Sequence, residues 1–386
     1  MILNQMSRKM ENYPAFTYDF EVNSKDRLIR LFWCDPIAKK NFHLYGDIVS
    51  YCMIFAPFTG KDNHVRPVSF GAGLLSKENA DSFSWLFERF VKYMGFAPKL
   101  SITDQDLGMK VVVERVLVDT RHRWCMWHIM FKVVEKLRKN QLGNEDLKKE
   151  LKNCVWSELI EPEEFDEAWN KVMEKYGLKD NEWFSSIFAS RKFWVRILLW
   201  KHIFYMMKYF CHYAETYSSI PENLSSISAS QNIFFKRYSK SHSNLVEFLM
   251  NYNNALDVQK SNNNRLEYLD FNMIPTLKTN SALVKHASTI YSYSGFKLTQ
   301  SKIEEAVDNV TMVTVSIFGE NEIYVVNDKF SKNWTMSYST SFDSYACGCK
   351  MFERLGLYAV VTILLLKLSR LLSANINDEQ YLALKL

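Results

Sequence analysis

An α/β layer is the fold class that this sequence predicts, on three observations. The first third of the chain alternates between β-prone apolar runs, an amphipathic helical stretch follows, and a short strand then ends in two aspartates. Among 386 residues, Gly (12) and Pro (8) are scarce beside 27 Phe, 20 Tyr and 10 Trp, as suits well-filled strands and helices. A chain of this length with 47% hydrophobic residues is long enough for one large core and a smaller module.

Taken in order, Arg27-Leu28-Ile29-Arg30-Leu31-Phe32-Trp33-Cys34 alternates as a strand before Asp35-Pro36 turns the chain. Residues 47–58 are apolar and β-prone, Pro57 and Gly60 close them, and residues 68–75 read as another strand. Asn79 or Asp81 caps a helix whose inner face carries Phe83, Leu86, Phe87 and Phe90. Residues 99–103 then deliver Asp104 and Asp106 from the end of a short strand, and a helix follows over 108–118. From 129 to about 241 the pattern is helical, charged over 132–152 and rich in Trp and Phe over 183–210. Asn253, Asn254, Asn262, Asn263 and Asn264 mark a polar region suited to a linker. A helix over 301–310 and β-like runs at 310–318 and 323–326 lead to Cys347 and Cys349. The expected organisation is a lead-in segment 1–45, a core with a helical insertion 46–255, a linker 256–289 and a C-terminal module 290–386.

Charge and composition exclude some classes. The formal charge of +5 permits polyanion binding without requiring it. No glycine pattern of a phosphate-binding loop is present. Seven cysteines with no apolar leader at the start suit a reducing compartment, in which thiols serve metal or core. The apolar run 355–368, interrupted by Lys367, falls short of the roughly 20 residues of a bilayer span.

Four constellations carry possible chemistry. Asp104 and Asp106, two apart on an extended segment, share a face and suit Mg²⁺, although aspartates at strand ends also cap the next helix. Cys125-Met126-Trp127-His128 has the spacing of half a zinc site and equally that of a core thiol beside a hydrogen-bonded histidine. Cys347-Gly348-Cys349 presents two thiols from one turn, with no Cys or His after it to complete four ligands. Lys132, Lys136, Arg138 and Lys139, preceded by Arg121 and Arg123, form either a phosphate-backbone footprint or the basic part of a mixed surface that also holds Glu135, Glu145, Asp146 and Glu150.

Several blocks in sequence carry a family likeness. Gly46-Asp47-Ile48-Val49-Ser50, Phe55-Ala56-Pro57-Phe58-Thr59-Gly60, Phe70-Gly71-Ala72-Gly73-Leu74-Leu75, Ser82-Phe83-Ser84-Trp85-Leu86-Phe87, Ile102-Thr103-Asp104-Gln105-Asp106 and Arg121-His122-Arg123-Trp124-Cys125-Met126-Trp127-His128 together resemble the Mutator-like transposase domain of the plant far-red impaired response family. The likeness extends over most of residues 16–386. It implies a ribonuclease-H-like core with a large helical insertion, a C-terminal SWIM-type zinc finger to which Cys347 and Cys349 belong, and zinc as the cofactor. It also implies a nuclear transcription regulator, in light-responsive development, whose partners are DNA and related family proteins, with no membrane and no small-molecule substrate. The family's N-terminal DNA-recognition domain would lie upstream of Met1.

The departures from the family pattern concern chemistry. Ser50 joins directly to Tyr51-Cys52-Met53, which omits the block bearing the first catalytic carboxylate, and Ala229 stands where the third would be. Asp104 alone answers to a three-carboxylate set, too little to fix two cations about 4 Å apart. In the SWIM pattern, Ala359-Val360-Val361 occupies the place of Cys-x-His. No catalytic residue and no enzyme activity are therefore expected; a truncated product without function and an active Mg²⁺-dependent transposase or nuclease are the alternatives. The shortened joint also predicts one continuous strand across 50–55, because a hairpin needs two strands of about 5 to 6 residues and a turn that Ser50, Tyr51 and Cys52 do not supply.

Overall fold

The computed structural model of the chain describes residues 2–51, 55–62, 64, 66–137, 144–156, 162–195, 245–279, 282–309, 311–327, 331, 333–339, 341 and 344–348. It divides into two compact units, Met1–Asn272 and Met273–Leu386.

The first unit is built on a seven-stranded mixed sheet. Its strands are β1 (Thr17–Val22), β2 (Leu28–Cys34), β3 (Ile48–Ser50), β4 (Phe55–Lys61), β5 (Pro67–Leu75), β6 (Leu100–Thr103) and β7 (Arg121–Trp124), in the spatial order β1-β2-β5-β4-β3-β6-β7. Pairing is antiparallel from β1 to β3 and parallel from β3 through β6 to β7. The α/β expectation therefore holds as a mixed sheet with helices.

Helices cover the sheet as side-chain alternation requires. On β2, Phe32 and Cys34 point into one core while Leu31 and Trp33 point into another, since successive strand residues face opposite sides. The first core packs against α2 (Pro36–Tyr45), α3 (Ala80–Met94) and α4 (Leu107–Val116). Helix α3 begins where Asn79 accepts the Ser82 amide at 2.9 Å and ends at left-handed Gly95. Its inner face, Phe83, Leu86, Phe87 and Phe90, is buried as expected, and Phe90 stacks on Phe58 with centroids 4.1 Å apart. Each such ring contributes about 1.5–3 kcal/mol by burial. On the opposite face, α1 (Ile2–Asn12) and the long helix α9 (Leu245–Asn272) enclose Trp33, with the Tyr252 ring edge-on to it at 5.7 Å. Beyond β7, the helices α5 (Met126–Lys136), α6 (Glu145–Trp156), α7 (Pro162–Lys175) and α8 (Glu182–Ala189) form their own cluster around Trp169 and Trp194.

The continuous strand expected across 50–55 is not found. β3 ends at Ser50, and the chain has reversed by Phe55 so that Ser50 stands opposite Thr59 in an antiparallel pair. Three residues suffice for β3 because its other edge pairs with β6 along its whole length, and the Tyr51 amide adds a bond to the Ile102 carbonyl at 3.0 Å. The division of the chain also differs from the expected one. β1 and β2 are part of the sheet, and α9 runs through the asparagine-rich stretch to Asn272, because Tyr252, Ala255 and Leu256 recur on one helical face that the sheet buries.

The second unit holds α10 (Ala282–Ile290) and α11 (Tyr293–Asn309), packed through Val284, Ala287, Phe296 and Ile303. An antiparallel sheet follows in the order β11-β10-β9-β8, made of β8 (Thr311–Phe318), β9 (Asn321–Asn327), β10 (Asn333–Ser339) and β11 (Ser344–Cys347).

Two constraints in the first unit have measurable consequences. A Cβ on Gly60 would collide with the Phe70 ring and lie 3.1 Å from the Ile48 carbonyl, so Gly60→Ala should destabilise the unit by about 1–3 kcal/mol in denaturant titration. Thr103 donates its hydroxyl proton to the Asp104 carbonyl at 2.8 Å and therefore accepts from His122 Nε2, also at 2.8 Å, tying β6 to β7. Burial first, then Lys110, pushes the His122 pKa down from 6.5 to about 4. Between those values the unfolded chain binds the proton and the folded chain does not, so stability falls as pH falls through this window, by about 3 kcal/mol from this residue. His122→Gln, which keeps a donor, should remove that part of the acid destabilisation in parallel melts from pH 7 to pH 4.

Candidate functional site

Strands β5, β3, β6 and β7 all run in one direction, so their C-terminal ends share one rim of the sheet, the end at which open α/β sheets place ligands. Asp104 leaves the end of β6 there. One of its carboxylate oxygens, Oδ1, is fully buried without a hydrogen-bond partner. Burial raises its pKa, more than His128 and Lys132 lower it, and Asp106 adds to the rise. Asp106 does not share a strand face with Asp104, since β6 stops at Thr103; it caps α4 instead, accepting the Met109 amide at 2.7 Å. The capping alternative thus accounts for Asp106, while Asp104 is left as the chemically unusual group.

Glu78 joins them, a residue the sequence reading did not single out. Its pKa is raised by burial and then by Asp104 and Asp106, which places its carboxyl in their field. The signal was topological: β5 is parallel to β3, so the loop after Leu75 arrives at the same rim as Asp104. On the β3 side, Ser50 stands level with Ile102, and the next residue, Tyr51, turns its ring into the core against Phe58 and Phe87 at 5.3 and 5.2 Å. Among the described residues no three His, Cys, Asp or Glu side chains are grouped to hold a metal ion. What this rim offers is one strained carboxyl with a lysine and a histidine nearby.

The other candidates separate. Cys125 occupies the N-terminal cap position of α5 and is buried, and His128 lies in the first turn of that helix. Arg123 is buried and donates to the Trp194 carbonyl at 2.9 Å, so it ties the helical cluster to β7 and is lost to any phosphate footprint. Arg121 and Lys136 are exposed, Lys132 is half-buried, and Arg138 and Lys139 lie outside the described residues. Cys347 ends β11 opposite Met336, and the Gly348 amide donates to the Thr335 carbonyl at 2.8 Å. Cys349, Ala229 and the run 355–368 lie outside the described residues. Across from Cys347 the register puts Met336.

A second concavity, a cavity of about 660 Å³, lies between α1, α2, α9 and the sheet. Its polar groups satisfy one another: Lys260 pairs with Asp35 at 2.8 Å and Lys9 donates to Asn253 at 2.8 Å. The Cys34 thiol that lines it is pushed up to about 11 by burial, which keeps it protonated and unreactive.

With this geometry in place, comparison with known proteins is informative. Residues 48–132, from β3 into α5, match the MULE transposase domain family. Over almost the whole chain it is similar to Protein FAR1-RELATED SEQUENCE 5 of Arabidopsis thaliana, 28% identical over 392 residues that cover 97% of this chain and 47% of that protein. Similar relatives from the same organism are Protein FAR1-RELATED SEQUENCE 9, 28% identical over 92% of this chain and 64% of its own length, and Protein FAR-RED IMPAIRED RESPONSE 1, 25% identical over 95% and 44%. The chain spans about half the length of most of these relatives. The MULE match thus covers the rim bearing Asp104, and most of the chain is similar, at modest identity, to FAR1-related proteins of Arabidopsis thaliana.

Proposed function

We propose that the chain is a nuclear transcription regulator descended from a domesticated transposase, acting on DNA together with related family proteins in light-responsive control of development, without strand-cutting or strand-joining chemistry. In this reading the β5-β4-β3-β6-β7 portion of the sheet, with three antiparallel strands continued by two parallel ones and helices between them, is a ribonuclease-H-like core, and the segment from β11 onward is a degenerate SWIM-type module. The name of one relative, FAR-RED IMPAIRED RESPONSE 1, supports the light-response part.

One observation carries the loss of chemistry. Asp104 keeps the rim position at the end of β6, but Asp106 is engaged as a helix cap, accepting the Met109 amide. Two-metal phosphoryl transfer needs several carboxylate oxygens converging on two cations. Labelled duplex incubated with the protein and Mg²⁺ or Mn²⁺ is expected to stay intact, and turnover abolished by Asp104→Asn would overturn the proposal. The same variant gives a second readout: because burial disfavours the charged carboxyl, Asp104→Asn should raise the melting temperature of the metal-free protein at pH 7, and Mg²⁺ should leave that of the parent unchanged, whereas a rise with Mg²⁺ that the variant lacks would mark a working metal ligand. Binding to duplex DNA is expected to fall steeply with salt and to vary little with sequence, the mark of backbone contact alone.

The zinc content follows from the donor set. Cys347 and Cys349 supply at most two thiolates, and tetrahedral zinc needs four ligands. Metal analysis of the purified chain should find far less than one equivalent. A full equivalent of tightly held zinc, lost in Cys347→Ser, would restore an intact finger.

A further inference from the structure

We propose that β8 is a docking edge for an extended, uncharged segment of another protein whose flanks are basic, added as a further strand to the four-stranded sheet. Strand β8 stands last in that sheet, and among the described residues no strand lies on its outer side. All eight of its residues are exposed. They include Val313 at 52%, Ile317 at 69% and Phe318 at 64% exposure, on a strand with no charge, no proline and no glycine. Edge strands are ordinarily guarded by a lysine, a proline, a bulge or a covering element. Among the described residues β8 has one guard, a bulge at Val313 where the pairing with β9 slips between Met312 and Thr314, and it lies towards the strand's start. From Thr314 to Phe318 the register with β9 is unbroken, which leaves a row of backbone donors and acceptors on the outer edge with apolar side chains beside it.

Charge decides which segment fits. Between Lys302 and Lys329 the sequence holds Glu304, Glu305, Asp308, Glu320, Glu322 and Asp328 and no basic residue. Glu320 and Glu322 sit at the turn where β8 passes into β9, and in sequence the other end of the strand follows Glu304, which pairs with Lys278 at 2.7 Å, then Glu305 and Asp308. A segment lying along β8 therefore runs between two acidic ends, and lysines or arginines outside its apolar centre meet them. A second copy of the chain is disfavoured by the same feature: antiparallel pairing of β8 with itself sets Glu320 and Glu322 of each copy against the acidic approach to the strand in the other.

The test uses the full chain and synthetic probes. A labelled peptide, Lys-Lys-Thr-Val-Thr-Val-Thr-Lys-Lys, is titrated by fluorescence anisotropy at low salt. Beside it run the same peptide with glutamates in place of the lysines and one with alternate amides N-methylated. The proposal expects saturable one-to-one binding of the first and about tenfold or weaker binding of each of the others. Ile317→Lys, an exposed position whose melting curve is checked against the parent, should weaken the first peptide by about tenfold. Equal affinity for the glutamate peptide overturns the charge argument, and equal affinity for the N-methylated peptide overturns strand addition. Peptide binding that Ile317→Lys leaves unchanged places the site elsewhere. No saturable binding to the chain, or a dimer that Ile317→Lys dissociates while no peptide binds, overturns the proposed occupant.

Discussion

The first unit depends on lateral pairing along the three residues of β3. Ile48, Val49 and Ser50 join the antiparallel half of the sheet to its parallel half, and so hold every element that reaches the rim of Asp104. So short a strand has almost no intrinsic persistence; sheet stability comes from cross-strand neighbours and from what covers the faces. Here the Leu100 amide bonds the Asp47 carbonyl at 2.9 Å and the Tyr51 amide bonds the Ile102 carbonyl at 3.0 Å, extending the parallel ladder at both ends. Val49 and Tyr51 then enter the core against Phe58 and Phe87. The exposed Lys99 and Asp47 pair at 3.2 Å adds little beside these contacts.

The same dependence governs the rim. The ring of Tyr51, the residue after β3, is buried against Phe58 and Phe87 and strengthens the central strand. At the end of β6, Asp104 feels burial more than it feels His128 and Lys132, which raises its pKa. Packing at the end of β3 and a buried carboxyl at the end of β6 thus lie on one rim of the same sheet.

Much of the first unit was legible because its side chains repeat with strand and helix periods. The β2 alternation, the Asn79 cap and the Phe83, Leu86, Phe87, Phe90 face all appear where the sequence puts them. The reversal after Ser50 was not legible, since strand-length averages say nothing of a strand that borrows its stability from a parallel neighbour 52 residues away. The helical character of the asparagine-rich stretch was hidden for a similar reason: Asn is a poor helix former, and only burial of Tyr252, Ala255 and Leu256 against the sheet decides the matter. Glu78 was invisible to any spacing argument, because its approach to Asp104 arises from strand order alone. Arg123 read as a surface cation because its acceptor, the Trp194 carbonyl, is 71 residues away.

The two sheets treat their outer strands differently, and the contrast bears on what each surface is for. β1, at one edge of the first sheet, carries Asp19 and Glu21, which pair with Arg89 at 2.8 Å and with Arg30 at 2.8 Å. β7, at the other edge, carries Arg121, His122 and Arg123, the last fastened to the Trp194 carbonyl of the helical cluster. Both edges thus present charge or cover, the usual protection against unwanted strand pairing. Among the described residues β8 presents neither over Thr314 to Phe318, although acidic residues stand within a few positions of it in sequence. Its uncharged run, with Val315, Ile317 and Phe318 exposed beside an unbroken register with β9, suits the docking edge proposed for it.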